Sequence, residues 1–382
     1  MDFESLFDIP IDDLHTPCYL TDARLLQKNT ALLKQIQQRT GCKILLAQKA
    51  FSMFSAYPLI RDDLAGTTAS GLFEAKLGRE HFGKEVHVFS PAYTQEDFTQ
   101  LLELCDHIVF NSFGQWKKYR QQVQDATRNI SCGIRINPGY AEVETDLYNP
   151  CISGSRMGVP LEQMEDDFAG LDGIHFHTMC EQNSDVLERT LDHMLPQFDK
   201  WLKRCKWVNF GGGHHITRPD YDVERLVRCI EQVRDTYGVQ VYLEPGEAVA
   251  LNAGYLVATV LDVVHNGMDI AILDASAACH MPDVLEMPYR PHILYSGTAG
   301  EKAYTYRLAG NTCLAGDVIG DYSFDHQLQA GEKLVFCDMA IYSMVKNNTF
   351  NGVPLPDIAL YQNGHIDLVK RFGYADFEGR LS

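Results

Sequence analysis

Lys49 sits in the stretch Lys43–Ser52, KILLAQKAFS, directly after the apolar run Ile44–Leu46. That run reads as a short buried strand. In a parallel α/β barrel the chemistry gathers where strands end. A lysine there, flanked by Leu46, Ala47, Ala50 and Phe51, is expected to be partly desolvated. Desolvation disfavours the ammonium and lowers its pKa, and a neutral amine can attack an aldehyde to form a Schiff base. Taken alone, the stretch fits better a lysine whose stem covers apolar surface while its amine reaches water. Three further groups reverse that balance.

In Gly173-Ile-His-Phe-His177 the apolar residues alternate with His175 and His177. Both imidazoles therefore share one side of a strand, and His177, nearer the end, reaches the pocket. Such a pair can also ligate a metal or be satisfied in a core. No third ligand is evident, so no metal is expected. Gly211-Gly212-Gly213 follow the next strand. Glycines let backbone amides approach an anion without a Cβ in the way, and barrels often take phosphate after strands seven and eight. The plainer alternative is a flexible turn. Glu244-Pro245-Gly246-Glu247 follow the last strand. Here a fixed turn holds Glu244 at the barrel mouth, where a carboxylate can pair with a protonated ring nitrogen; otherwise it is an exposed acidic turn. A lysine for a Schiff base, glycines for a phosphate and a carboxylate for a pyridinium together describe pyridoxal phosphate (PLP).

The elements that must position these groups alternate. After the Lys43–Leu46 strand come strand candidates at Gly66–Ala69, Val86–Phe89, His107–Phe110, Gly133–Ile136, Gly173–Phe176, Trp207–Phe210 and Val241–Leu243. Helical patterns lie at Asp22–Gln38, with Thr21 as its cap, and at Gln95–Glu103, Phe113–Val123, Asp185–Leu202 and Asp222–Thr236. About eight βα units in roughly 230 residues fit a (β/α)8 barrel. An open doubly wound sheet is the alternative, but no GxGxxG follows the first strand. Beyond about residue 255 short strands rich in β-branched residues and tyrosine take over: Tyr255–Val264, Asp269–Leu273, Tyr304–Leu308 and Lys333–Phe336. They predict a mostly antiparallel second domain. The expected boundaries are 22–255 for the barrel and 256–382 for the β-domain, with residues 1–21 joining the latter.

The 382 residues carry a net charge of −18, which repels nucleic acid and anionic membrane and attracts cations. Eleven scattered cysteines without a CxxC pair predict reduced thiols in a cytoplasmic protein. MDFESLFDIP lacks the basic and apolar regions of a signal peptide. No apolar run approaches the roughly 20 residues of a membrane helix.

The stretches LLAQKAFS, GIHFHTMCEQ, NFGGGHHITRPDY, LEPGEAV, LDASAACHMPDVLEMPYRP, GNTCLAGDVIGDY and MAIYSMVKNNTFNG resemble those of the fold-type III PLP-dependent decarboxylases. Ornithine and diaminopimelate decarboxylases are members of that family. The resemblance runs from residue 45 to residue 352. It implies an alanine-racemase-like barrel with a β-domain, and a homodimer with shared active sites. It makes Lys49 the Schiff-base lysine and His177 the histidine stacked on the cofactor. It makes Gly211, Gly212 and Gly213 the phosphate loop, and Glu244 the partner of the ring nitrogen. It makes Cys313 a residue given across the dimer to reprotonate the product carbon, and places Tyr342 near the phosphate or ring. Many relatives carry a phosphate-binding arginine where this chain has Glu247. A carboxylate there suits a substrate ammonium, with Asp283 as a second acidic candidate. The expected substrate is therefore a cationic carboxylated triamine. A diaminopimelate-type decarboxylase and a non-catalytic, decarboxylase-like regulator are the alternatives.

Overall fold

The structure is a computed structural model and describes residues 7–382; MDFESL, which opens the segment read as no signal peptide, lies outside the described residues. The chain divides into two compact units, Gln27–Val249 and a second that combines Ala250–Ser382 with the residues up to Leu26. Among the described residues no helix is long and apolar enough to cross a membrane.

Strand β1 (Cys18–Asp22) leads into helix α1 (Ala23–Thr40). Thr21 does not cap this helix. It is still paired in β1, against Gly254 and Leu360, and its buried hydroxyl has no partner. Asp22, one residue nearer the first turn, takes the Arg24 amide at 2.9 Å instead. Leu26, Leu33 and Ile36 form the buried stripe of α1, as their helical spacing requires.

The barrel strands are β2 (Lys43–Ala47), β3 (Gly66–Ala69), β4 (Glu85–Phe89), β5 (His107–Phe110) and β6 (Ser131–Asn137), then, past the two-residue β7 (Val159–Pro160) appended to β6, β8 (Gly173–His175), β9 (Trp207–Asn209) and β10 (Gln240–Leu243). All pair in parallel, and the pairing of β5 with β6 closes the ring. Four of the helices between them start on side-chain caps. Thr94 caps α2 (Gln95–Leu104), Ser112 caps α3 (Phe113–Gln124), Asn183 caps α4 (Ser184–Leu202) and Asp222 caps α5 (Val223–Tyr237). Each cap accepts an amide hydrogen that the first turn leaves without a partner.

Inside the barrel, Trp207 fills space that two glycines leave free. A Cβ on Gly133 or Gly173 would lie 2.2 or 2.1 Å from its ring. At the strands' N-terminal ends His87 and His107 stack at 3.9 Å, while Glu85 is paired with Lys43 and His87. Rings stacked face to face do not converge their lone pairs on one point, and Lys43 already meets the carboxylate, so this cluster is a packed polar plug.

The second unit is built on β11 (Gly254–His265), which pairs with β1. Its other strands are β12 (Asp269–Leu273), β13 (Gly297–Thr298), β14 (Tyr304–Ala309), β15 (Val318–Phe324), β16 (Lys333–Cys337), β17 (Asp357–Gln362) and β18 (His365–Lys370). They run in the order β13-β15-β14-β12-β11-β1-β17-β18, with β16 also on β11. Only β1–β17 and β12–β14 are parallel, so the sheet is mostly antiparallel. Cys18, Leu20, Tyr255, Val257, Val335 and Ala359 share its core.

Candidate functional site at the barrel mouth

Strand β2 ends in the turn Gln48-Lys49-Ala50. Ala47 donates its amide to Pro245 O at 3.3 Å, and Gln48 donates its own to Thr68 O at 3.2 Å. Gly246 is required beside this turn, because a Cβ there would meet that of Ala50 at 2.4 Å. The Gln48 side chain is buried, donating to Glu74 O and accepting from Tyr57. The turn is thus pinned on both sides of Lys49. Lys49 is exposed by its surface area, yet protein surrounds it closely enough for burial to weigh on its charge. That enclosure lowers its pKa, and Arg135 adds to the shift; Glu244 and Glu247 oppose it. Desolvation is the largest cause, as the sequence predicts.

His175 and Glu244 face each other across the mouth, Nε2 to Oε2 at 3.2 Å. Asn209 donates to the other carboxylate oxygen at 2.8 Å. Burial raises the Glu244 pKa, but His175 and Asn209 outweigh it and hold the carboxyl at about 2. Nδ1 of His175 has no partner among the described residues, so its proton belongs on Nε2, toward the carboxylate. Burial keeps this imidazole's pKa low despite Glu244.

The glycine triplet is needed for a different reason from the one its sequence suggests. Cβ atoms on Gly211, Gly212 and Gly213 would lie 2.4 Å from Phe176 O, 2.6 Å from Glu244 O and 2.0 Å from Met179 O. Protein backbone, not a ligand, demands the missing side chains. Gly211 and Gly213 also have φ of +69° and +83°, a region glycine enters without strain. Two of the amides are already engaged. Gly211 donates to Asn209 Oδ1 and Gly212 to His177 Nδ1, both at 2.8 Å. Gly213 O and the His215 amide bond with Gln182. The amides of Gly213 and His214 have no acceptor among the described residues and are the ones left for an anion.

Glu247 is buried, and its carboxylate meets His215 Nε2 at 2.7 Å. Burial works against the His215 cation, but Glu247 more than compensates and raises the imidazole's pKa. Arg135, on β6, is only 5% exposed. It donates to His177 O at 3.2 Å and lies over the Phe89 ring, and its Nε has no partner among the described residues. Burial pushes its pKa down to about 10.

Lys49, His177, the glycine loop, Glu244 and Glu247 all stand at the strands' C-terminal ends of one unit. Asp283, Cys313 and Tyr342 belong to the other. Asp283 is paired with Lys346, which also reaches Glu286. Cys313 is exposed in the turn between β14 and β15, its amide given to Asn351 Oδ1 at 2.8 Å. Tyr342 has φ of +53°, unusual for a bulky side chain.

The sequence reading passed over Arg135, Asn209 and His215. Arg135 had a signal, a charged residue alternating with the apolar Ile134 and Ile136 of a strand. His215 directly follows the GGG loop and its neighbour His214. Asn209 had none, because its use depends on where Glu244 lies.

Barrel and site together define a (β/α)8 enzyme in which an enclosed lysine, free loop amides and a fixed carboxylate share the catalytic end. A family model described as "pyridoxal-dependent decarboxylase, C-terminal sheet domain" matches residues 18–340. The carboxynorspermidine/carboxyspermidine decarboxylase of Campylobacter jejuni is 42% identical, over 97% of this chain and 99% of that one. The carboxyaminopropylagmatine decarboxylase of Synechocystis is 41% identical, over 97% and 96%. A crystal structure of carboxynorspermidine decarboxylase from Campylobacter jejuni, complexed with norspermidine, superposes with a TM-score of 0.89 over 96% of this chain and all of that one, at 41% identity. The chain belongs to the pyridoxal-dependent decarboxylases.

Proposed function

We propose that this decarboxylase acts on carboxynorspermidine and carboxyspermidine, releasing norspermidine and spermidine in polyamine biosynthesis. In this reading it works with PLP as a cytoplasmic homodimer. The observation that carries the substrate is Glu247, a buried carboxylate whose charge Lys49 feels, in a chain 42% identical to a decarboxylase of that name. A cationic tail is attracted there. The second carboxylate of diaminopimelate is repelled, which disfavours that alternative. The presence of Lys49 and Cys313 disfavours a non-catalytic regulator. Eleven free cysteines support a reducing compartment.

The residues fit a phosphorylated pyridine aldehyde. The free amides of Gly213 and His214 offer an anion cradle, Arg135 Nε is a buried donor without a partner, and Glu244 is an ionised carboxylate at the mouth. Pyridoxal phosphate, when bound, supplies a protonated ring that accepts the electron pair left by the departing carboxylate. Lys49 would hold the cofactor through Nζ, and the lowering of its pKa favours the neutral amine that such a bond needs. Glu244 would hold the ring nitrogen protonated, and His175 and Asn209 meet its carboxylate and aim it. His177 offers a ring face, with Nδ1 engaged by Gly212. Cys313 would deliver the proton to the product carbon from the partner subunit, and Tyr342 would help to hold the cofactor. Glu247, with Asp283, pairs with the substrate's ammonium groups.

Steady-state kinetics on carboxynorspermidine, carboxyspermidine, carboxyaminopropylagmatine and diaminopimelate test the reading. The first two are expected to give the highest kcat/KM. A preference for diaminopimelate or for the guanidinium-tailed substrate overturns the substrate assignment. Absence of turnover on all four overturns the decarboxylase reading of the site.

A further inference from the structure

Asp317 is 2% exposed and lies at the base of the turn that carries Cys313. Its carboxylate is met by three donors. Thr312 Oγ1 and Ser276 Oγ give to Oδ2 at 2.6 and 2.8 Å, and the Ala278 amide gives to Oδ1 at 3.2 Å. Gly310 makes room for it, since a Cβ there would sit 2.2 Å from Oδ2. The backbone closes the same turn, with the Gly310 amide on Asp317 O and the Asp317 amide on Leu314 O, both at 2.9 Å.

On the other side Cys313 donates its amide to Asn351 Oδ1. The Asn351 segment is fixed in turn. Asn348 Nδ2 gives to Ala278 O at 2.8 Å, its amide gives to Cys279 O, and its Oδ1 takes the Phe350 amide. The bonds therefore close a circuit that leaves Cys313 through Asn351 and Asn348, reaches Ala278, and returns through Asp317 and Thr312. Burying a carboxylate is costly even when it is well hydrogen-bonded. Here the buried carboxylate ties the tip of an exposed hairpin to Ser276 and Ala278.

We infer that Asp317 and Asn351 are positioning residues for the Cys313 thiol, Asp317 acting through Thr312 and Asn351 through the Cys313 amide. The inference rests on the role proposed for Cys313, but its geometric half can be read without substrate. Eight of the eleven cysteines are buried and two partly so; Cys313 is the exposed one. Iodoacetamide alkylation of the cofactor-loaded enzyme, less the background of Cys313→Ala, therefore reports on this thiol.

Asp317→Ala breaks three bonds. Asp317→Asn keeps an oxygen for the Ala278 amide, and its NH2 can give to the Thr312 and Ser276 hydroxyls, which reverse to accept. Asn351→Gly removes only the acceptor, since φ is +58° there and glycine adopts it freely. Exposed in the single chain, Cys313 is shielded in the proposed dimer by the partner subunit's site, so a tip freed by Asp317→Ala or Asn351→Gly is expected to leave that site more often and be alkylated about 3–10-fold faster. In both variants kcat is expected to fall about 10–100-fold through misplacement of the reacting group, with KM within about twofold. Asp317→Asn should recover both readouts. If Asp317→Ala does not fold, Asn351→Gly decides alone. Wild-type alkylation and kcat in folded Asn351→Gly overturn the inference. So does a kcat loss that merely follows Tm and is the same in Asp317→Asn as in Asp317→Ala. Wild-type kcat in Cys313→Ala would remove the thiol from the reaction, whereas failure of the wild type to turn over any of the four substrates would sink the functional reading; each leaves the alkylation result standing.

Discussion

Gly212 donates its amide hydrogen to Nδ1 of His177 across 2.8 Å. One bond thereby ties the loop after β9 to the chain leaving β8, and it settles the histidine's chemistry. An accepting Nδ1 carries no proton, so a neutral ring carries its proton on Nε2. Burial drives the imidazole's pKa well below its ordinary value, and Lys49 and Arg135 push the same way. The ring is neutral, fixed in tautomer and fixed in plane, which is what a stacking partner needs.

The same contact makes Gly212→Ala a sharp test. The new Cβ would lie 2.6 Å from Glu244 O and 3.1 Å from His177 Cε1. Overpacking of this kind costs about 1–3 kcal/mol, and relief requires the Glu244 backbone to shift and His177 to give way by a few tenths of an ångström. Denaturant unfolding should show that loss, and titration with PLP should show weakened binding. Gly114→Ala is the control. Its Cβ meets nothing closer than Ser112 Oγ at 3.7 Å, and it should stabilise by about 0.5 kcal/mol. Equal stability and cofactor affinity in Gly212→Ala and wild type would mean that the close packing does not constrain the site.

Glu244→Gln should bind PLP but lose most of kcat, because an amide cannot hold a ring nitrogen protonated. Stability against pH gives a second readout. The folded carboxyl is held at about 2, below its ordinary unfolded value near 4.3. Its contribution is therefore complete above the unfolded value and is lost as pH falls toward 2. The variant should be less stable at neutral pH and lose less between pH 5 and 2.5. An unchanged acid limb would show that His175 and Asn209 do not stabilise the charge.

The barrel was legible because its pattern is local. Runs such as HIVF at 107–110 are buried nearly throughout, and capping residues at Thr94, Ser112 and Asp222 mark helix starts. β18 was not legible, since HIDLVK is almost entirely exposed and shows no core-facing alternation. β15 carries Gly320 and Asp321 in its middle, which breaks the apolar run. Lys49, Glu244 and the glycines stood out because each follows an apolar strand. The pairings His175–Glu244, His215–Glu247 and Lys346–Asp283 join residues 32 to 69 positions apart. No sequence period encodes them.

Lys49→Ala should lose both turnover and the visible absorbance of the lysine-bound cofactor. Cys313→Ala should keep the absorbance and lose turnover. If each active site takes Lys49 from one subunit and Cys313 from the other, mixing the two inactive proteins should restore activity. With random exchange of equal amounts, half of the dimers are mixed and each has one intact site, so about a quarter of wild-type activity returns. No recovery despite exchange demonstrated by tagged subunits would place both residues in one subunit's site.

Substrate choice should depend on Glu247 more than on Asp283. Asp283 already has a cation, Lys346, shared with Glu286. Glu247 is paired with His215, a weaker claim, because an imidazole can give up its proton where a lysine keeps it. A substrate ammonium near Glu247 would favour that release. Glu247→Gln keeps the shape, removes the charge and leaves the reacting centre alone, so KM for the carboxylated triamine should rise more than kcat falls. With a charged hydrogen bond worth about 1.5–3 kcal/mol, the rise should be about tenfold or more. Asp283→Asn should change KM by about fivefold or less, since Lys346 already meets this half-buried carboxylate and such a pair contributes under about 1 kcal/mol. Added salt should weaken wild-type binding more than it weakens binding by Glu247→Gln, which has lost the screened attraction. The competing outcome is that the His215–Glu247 pair serves only the barrel rim. In that case Glu247→Gln would lower Tm and leave KM and its salt dependence unchanged, and the carboxylate could no longer explain why a cationic tail is preferred to an acidic one.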